Sequence, residues 1–375
     1  MNFDYTDDQK ALKEEARRFL TAASPLTVSR AVLENPGDGY DVALWGRIVE
    51  QGWCGATIPE AYGGLGLGYV ELCALAEELG RAVAPVPFAS SIYFFAEALK
   101  LAGGEEQKSQ LLPLVASGEL IGTLAISEGA GVLTDARIAA KVSGGKLSGT
   151  KLPVADGMAA ARAVVLAKGE DGLSLYLVDL RGEGVTRQAV SNIDPTRGAA
   201  SISFDGASVE PLGEVGKGLQ MLKSIQERGA ILLAFEQLGG ADRCLEMARD
   251  YALERYAFGR PIGSYQAIKH KLADVFVKNE VARANAYYGA WALSTDASEL
   301  PVAAAAARVA GSAAYWLASK EMIQTYGGIG VTWEADCHFF YRRARHLGLV
   351  IGAPRDWKRR LADGLEARLN AEKQP

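Results

Sequence analysis

Two stretches of this 375-residue chain hold residues that could grip an anion. ERYAFGRPIGSYQAIKHKLAD, residues 254–274, places Arg255 ahead of a Gly-Arg-Pro turn, and guanidinium donors in such a turn suit a phosphate. QTYGGIGVTWEADCHFFYRRA, residues 324–344, puts glycines directly after a helical pattern, where a missing side chain lets a ligand approach the backbone. By residue type alone, a solvated arginine and an ordinary helix C-cap are the better account of the two stretches. The second runs into YRRARHLGLVIGAP, where Arg342, Arg343 and Arg345 precede a run from Leu347 to Pro354 with no ionisable side chain. If the chain is an enzyme, that run raises the question of where its base lies.

Other chemistries find no support. GGLGLG at 63–68 follows a helical pattern, whereas a dinucleotide fingerprint needs a strand before it and a helix after it, so it reads as a structural loop. There is no GxxxxGK[ST], HExxH or GxSxG. His270, His338 and His346 share no ligand spacing, and His338 and His346 read as helix-surface residues. Cys54, Cys73, Cys244 and Cys337 form no CxxC pair and read as reduced thiols in a cytoplasmic protein, with no metal site. A net charge of −5 argues against a nucleic-acid partner, and the lack of a run of ~18 apolar residues argues against a membrane span. The opening MNFDYTDDQK is acidic and polar, unlike a targeting signal.

The elements that must carry these residues fall in three segments: a helical domain over 1–120, a β domain over 121–213 and a helical bundle over 214–375. In the first, Thr6 caps a helix and Gln9 closes a capping box. DVALWGRIVEQG, YVELCALAEELGRAV and EEQKSQLLPLVASG predict three further helices. In the second, ARIAAKVSGGKLSGTKLPV and RAVVLAKGEDGLSLYLVDL read as hairpins about GG and DG turns, and ASISFDGASVEPLG as a third. Turns this short predict an antiparallel sheet or barrel. In the third, four long alanine- and leucine-rich stretches with short links predict antiparallel packing in a bundle.

Taken together, these features resemble the acyl-CoA dehydrogenase family. FDYTDDQKALKEEARRFL resembles its opening helix and WCGATIPEAYGGLGLGYVELCALAEELGR its second landmark. RxxFGxxIxxxQ is met at Arg255, Phe258, Gly259, Ile262 and Gln266, and QxxGGxG at Gln324, Gly327, Gly328 and Gly330. The resemblance implies an N-terminal α-helical domain, a middle antiparallel β-barrel and a C-terminal four-helix bundle. It implies FAD held between subunits and α,β-desaturation of an acyl-CoA thioester. Arg255, Phe258 and Gln266 would touch the flavin dinucleotide of a neighbouring subunit, with Gln324, Gly327 and Gly328 near its adenosine end. An arginine on a pyrophosphate makes a charge-assisted, two-pronged contact.

The family's catalytic glutamate occupies one of two positions, matched here by Ile351 and Gly229. Glu227 lies about 200° round the helix from Gly229, whereas Glu236 shares its face ~10 Å along the axis, so Glu236 is the candidate base. An ion-paired structural role for Glu236 is the alternative. The middle domain departs too. SEGAGVLTD keeps Ser127 and Glu128 of the family's TEPxxGSD, so the resemblance implies that Ser127 also binds the flavin cofactor, whereas KLPVADG puts Pro153 and Ala155 where a tryptophan and a threonine flank the flavin. Arg342, Arg343 and Arg345 are expected at the bundle surface or a subunit contact rather than in catalysis, and Arg343 departs from the family, which often has an acidic residue there. The chain thus resembles the completing subunit of bacterial α2β2 acyl-CoA dehydrogenases for bulky, steroid-type substrates, whose usual acceptor is an electron-transfer flavoprotein. A homotetramer using Glu236 and a non-catalytic acyl-CoA-binding or scaffold member are the alternatives.

Overall fold

The computed structural model describes residues 5–37 and 39–372, with side chains as far as residue 370. Two compact units emerge: one comprises residues 1–27, 69–84 and 230–375, the other 28–68 and 85–229.

In the first unit, α1 (Asp7–Ala23) starts as its sequence predicts, with Thr6 and Gln9 forming a reciprocal capping box. It packs on α4 (Tyr69–Arg81). The later helices are α7 (Gly218–Glu254), α8 (Gln266–Ser294), α9 (Leu300–Tyr326), α10 (Cys337–Leu349) and α11 (Pro354–Glu372). The boundary between the units falls within α7, after Gly229. Helix α9 packs against α8, α10 and α11. Glycines bring α4 and α7 nearly into backbone contact: a Cβ on Gly80 would stand 1.8 Å from the Glu236 carbonyl oxygen, and one on Gly239 1.8 Å from that of Glu77. Four long helices were expected in this region, and α10, in the arginine-rich segment, is a further one. Arg343 is a correction: it is not at the bundle surface but fully buried. Its neighbours Arg342 and Arg345 lie over the rings of Trp333 and Trp316.

In the second unit, which takes in most of α2 (Leu26–Glu34), α3 (Val42–Glu50) is capped by Asp41, and α6 (Glu105–Ala116) follows α5 (Glu97–Ala102). Before α5 comes a π-helix, Ala89–Ala96, buried along its whole length, which periodicity did not predict. GGLGLG is a structural loop: the amides of Leu65, Gly66 and Leu67 bond to the carbonyls of Gly55, Ile58 and Ala56.

The strands are β1 (Gly122–Ala125), β2 (Lys141–Ser143), β3 (Lys146–Ala155), β4 (Arg162–Gly169), β5 (Gly172–Asp179), β6 (Val185–Ala189) and β7 (Ala199–Leu212). Strands β4, β2, β3, β7 and β5 pair in that order, and β5 pairs back to β4, closing a barrel. The two hairpins about Gly144–Gly145 and Asp171–Gly172 form as predicted. ASISFDGASVEPLG does not: it is the single strand β7. Gly206, at φ +69°, is skipped between the partners of Leu147 and Ser148, so its glycine makes a bulge where a turn was predicted. Pairing is also not purely antiparallel, since β1 and β2 run parallel to β4 along one edge. Those pairs join strands distant in sequence, which turn lengths do not reveal. Among the described residues no helix is long and apolar enough to cross a membrane.

Candidate functional site

At the end of α7 the chain makes a two-residue hairpin between Tyr256–Ala257 and Arg260–Pro261, here β8 and β9. Its central residues, Phe258 and Gly259, have φ +52° and +80°, both positive as a type I′ turn demands. Glycine adopts this freely, but a phenylalanine there is strained by ~1 kcal/mol or more. Phe258 is also 98% exposed, so no packing among the described residues offsets the strain. The turn is nonetheless braced: the Ile262 amide donates to the Arg255 carbonyl at 2.7 Å, and the Tyr265 hydroxyl to the Ala257 carbonyl at 2.9 Å. Arg260 stacks over Tyr265 at 4.0 Å. Arg255 is exposed, as is Gln266, the first residue of α8, and no side chain caps that helix. Uncapped first-turn amides and an exposed guanidinium are the donors an anionic group needs.

The second motif sits at the end of α9. Tyr251 stacks on Tyr326 with ring centroids 4.1 Å apart, which brings the end of α7 beside the end of α9. Arg255 and Gly327 therefore lie at one end of this unit, although the sequence separates them by a full helical hairpin. Gly327, at φ +65°, ends α9, and a Cβ on Gly327 or Gly328 would meet nothing within 4 Å. Gly330 differs, because its Cβ would press on the Ile323 carbonyl at 2.6 Å. Two of the motif's three glycines thus leave open backbone, and the third serves packing. Gln324 is exposed, and so are Ile329, Val331 and Trp333 in the turn beyond.

The candidate base positions are different. Ile351 is buried, and its carbonyl accepts from the Trp357 indole at 3.2 Å. Gly229 faces Phe94, so that a Cβ there would stand 2.2 Å from Cε1 of the ring. Glu227 lies 3.8 Å from Lys223 Nζ. Glu236 is 1% exposed, with its carboxylate 3.6 Å from Arg343 Nη1. Arg343 also donates to the carbonyls of Val83 and Ala84. Nearby Arg308 donates to Gln237 Oε1 at 3.1 Å and to the Leu347 carbonyl. Burial pulls the Arg308 guanidinium below its usual range, an effect the Glu236 charge opposes.

In the barrel, Ser127 Oγ donates to the Gly129 carbonyl at 3.0 Å. The backbone on either side is also paired, with the Leu152 amide on the Ser127 carbonyl and the Gly129 amide on the Leu152 carbonyl. Glu128 takes Lys151 Nζ at 2.6 Å and the amides of Ala139 and Ala140. Burial raises its carboxyl's pKa, but Lys151 and the two amides outweigh that and hold it below the usual carboxylate range. Pro153, after a cis peptide, has no N–H, and the Ala155 carbonyl accepts from Thr123 Oγ at 2.6 Å. The part played by Phe94 was not legible in sequence, because only the fold sets it against Gly229.

Comparison with known proteins places the chain in a family. The profile of the acyl-CoA dehydrogenase N-terminal domain matches residues 6–119, and that of the C-terminal domain residues 216–354. The chain is 33% identical to acyl-CoA dehydrogenase IpdE2 of Mycobacterium tuberculosis, over 95% of this chain and 96% of that protein. Its fold is similar to a chain of the Tcur3481-Tcur3483 steroid ACAD, with TM-score 0.87 and 30% identity over 97% of this chain and 99% of that one. It is likewise similar to a chain of the ChsE4-ChsE5 complex from Mycobacterium tuberculosis, with TM-score 0.87 and 25% identity over 98% and 99% of the two chains. The protein belongs to the acyl-CoA dehydrogenase family.

Proposed function

We propose that this chain is the completing subunit of an FAD-dependent acyl-CoA dehydrogenase, working beside a related subunit that carries the catalytic glutamate. The observation that carries this reading is the state of the base positions: Ile351 is a buried aliphatic residue, and Gly229 is backed by an aromatic ring. Desaturation removes a proton from Cα and a hydride from Cβ, and bound flavin supplies the hydride acceptor. A base must lie within ~3 Å of the proton it takes. Glu236 is enclosed with Arg343 in the helical core, which supports a structural role for it.

The residues lent outward fit a flavin dinucleotide. Arg255 and the uncapped start of α8 at Gln266 offer donors to its pyrophosphate. Phe258 holds an aromatic surface in solvent, and Gln324, Gly327 and Gly328 present a side-chain amide and open backbone. This chain's own cradle fits poorly, because Ser127 and the backbone around it bond to one another and Pro153 offers neither an N–H nor an indole face. Donors pointing outward, together with a poor cradle, favour an assembly with a related chain, an α2β2 heterotetramer. The likeness to a steroid ACAD and to a two-component complex supports a bulky, steroid-type acyl-CoA as substrate. In this reading an electron-transfer flavoprotein takes the electrons.

The test is to purify the chain alone and co-expressed with a related chain, then measure FAD per polypeptide and acyl-CoA turnover. Flavin and turnover are expected only in the pair, with Arg255→Ala lowering flavin retention there. A pure homomer that holds one FAD per chain and turns over, losing activity in a folded Glu236→Gln variant, would overturn the reading.

A further inference from the structure

Of the three consecutive aromatic residues in the π-helix Ala89–Ala96, Phe94 and Phe95 are each seated on a glycine. A Cβ on Gly229 would stand 2.2, 2.8 and 2.8 Å from Cε1, Cδ1 and Cζ of Phe94, and one on Gly122 2.1, 2.2 and 2.6 Å from Cγ, Cδ1 and Cδ2 of Phe95. Contacts under 3 Å to ring carbons are not met by small shifts, so the rings fill the space into which side chains at these positions would grow. Both rings are buried, Phe94 at 4% exposure. The segment is also clamped on its polar side: Ser90 Oγ donates to Asp156 Oδ2 at 2.5 Å, and Ser91 Oγ accepts from the Gly122 amide at 3.3 Å. A π-helix widens the turn and changes where side chains point, a distortion that persists where a particular placement matters.

We infer that Phe94 is a specificity-determining plug: held by the clamped π-helix against Gly229, it closes this chain's own acyl-CoA site. The inference rests on Gly229 standing at the family's base position, as in the proposed function. It goes further in naming the residue that excludes the ligand and in making that exclusion reversible. Phe94→Ala is expected to leave an apolar void of about the volume of a benzene ring, which stays dry and takes an apolar ligand. An acyl chain is such a ligand.

Octanoyl-CoA titrated calorimetrically into the oligomer in which the chain purifies tests this without using flavin content or turnover, the readouts of the partner-subunit reading. Wild type is expected to show no site on copies of this chain: none when pure, and no more than the number of related subunits when paired. Phe94→Ala is expected to add one site per copy of this chain, at least tenfold tighter than the weakest binding the titration detects. Phe94→Leu, which keeps an apolar side chain and so protects folding, is expected to show an intermediate gain. A wild-type chain that binds one octanoyl-CoA per copy overturns the inference. Folded Phe94→Ala or Phe94→Leu variants that add no site overturn it equally, because the ring would then not be what closes the space.

Discussion

Glu236 and Arg343 form an ion pair 3.6 Å apart with both side chains sealed from solvent, the one from α7 and the other from α10. Arg308, from α9, lies close enough to feel the same carboxylate and holds the carbonyl of Leu347 near the end of α10. Two buried guanidiniums thus share the field of one carboxylate. Glu236→Gln removes the negative charge and leaves both cations in the core. A loss of about 3–5 kcal/mol is expected, the usual cost of breaking a buried pair from one side. Thermal and urea unfolding of the variant check this, and an unchanged midpoint would contradict a structural role for Glu236.

Gly229 lies within a helix, where alanine ordinarily stabilises by about 1 kcal/mol. Here the added methyl meets the Phe94 ring, so Gly229→Ala is expected to destabilise by about 1–3 kcal/mol instead. In a double-mutant cycle, Phe94→Ala should relieve the clash, giving a coupling of roughly 0.5–3 kcal/mol read from unfolding midpoints. Additive effects would show that the two residues are not in contact.

The pair of Glu128 with buried Lys151 carries a pH signature. The folded state holds the Glu128 carboxyl below its usual range, so its contribution is complete above the unfolded value of about 4.3 and disappears as pH falls through the lower folded value. Burial pulls Lys151 down in turn, against the attraction of Glu128. Glu128→Gln is therefore expected to lower Tm at pH 7 and to flatten the fall of Tm below about pH 4. Melting curves from pH 3 to 8 decide this, and parallel acid limbs for the two proteins would refute it.

Phe258 holds strain that no packing among the described residues relieves. Phe258→Gly should leave the melting temperature of the isolated chain unchanged or raise it, by at most about 1 kcal/mol of stability. In the assembly with a related subunit the same substitution should lower flavin retention, measured as absorbance per complex after gel filtration. Loss of stability in the isolated chain with no effect on flavin would reverse the assignment.

Much of the molecule was legible from local signals. The Thr6–Gln9 capping box, the GG and DG hairpins and the long helices are short-range patterns, and each formed where those patterns put it. The motifs also pointed to the family without help from the fold. What local signals could not decide was long-range. Asp205–Gly206 carries a turn signal, but partner strands on both sides hold β7 extended, and the glycine relaxes into a bulge. Arg343 reads as a surface cation, because its type says nothing of a carboxylate a hundred residues earlier that packing brings to its side. Gly229 reads as a missing base, and only the tertiary structure shows that the vacancy is filled, since a residue's neighbours across a core are set by helix packing and not by its own place in the chain.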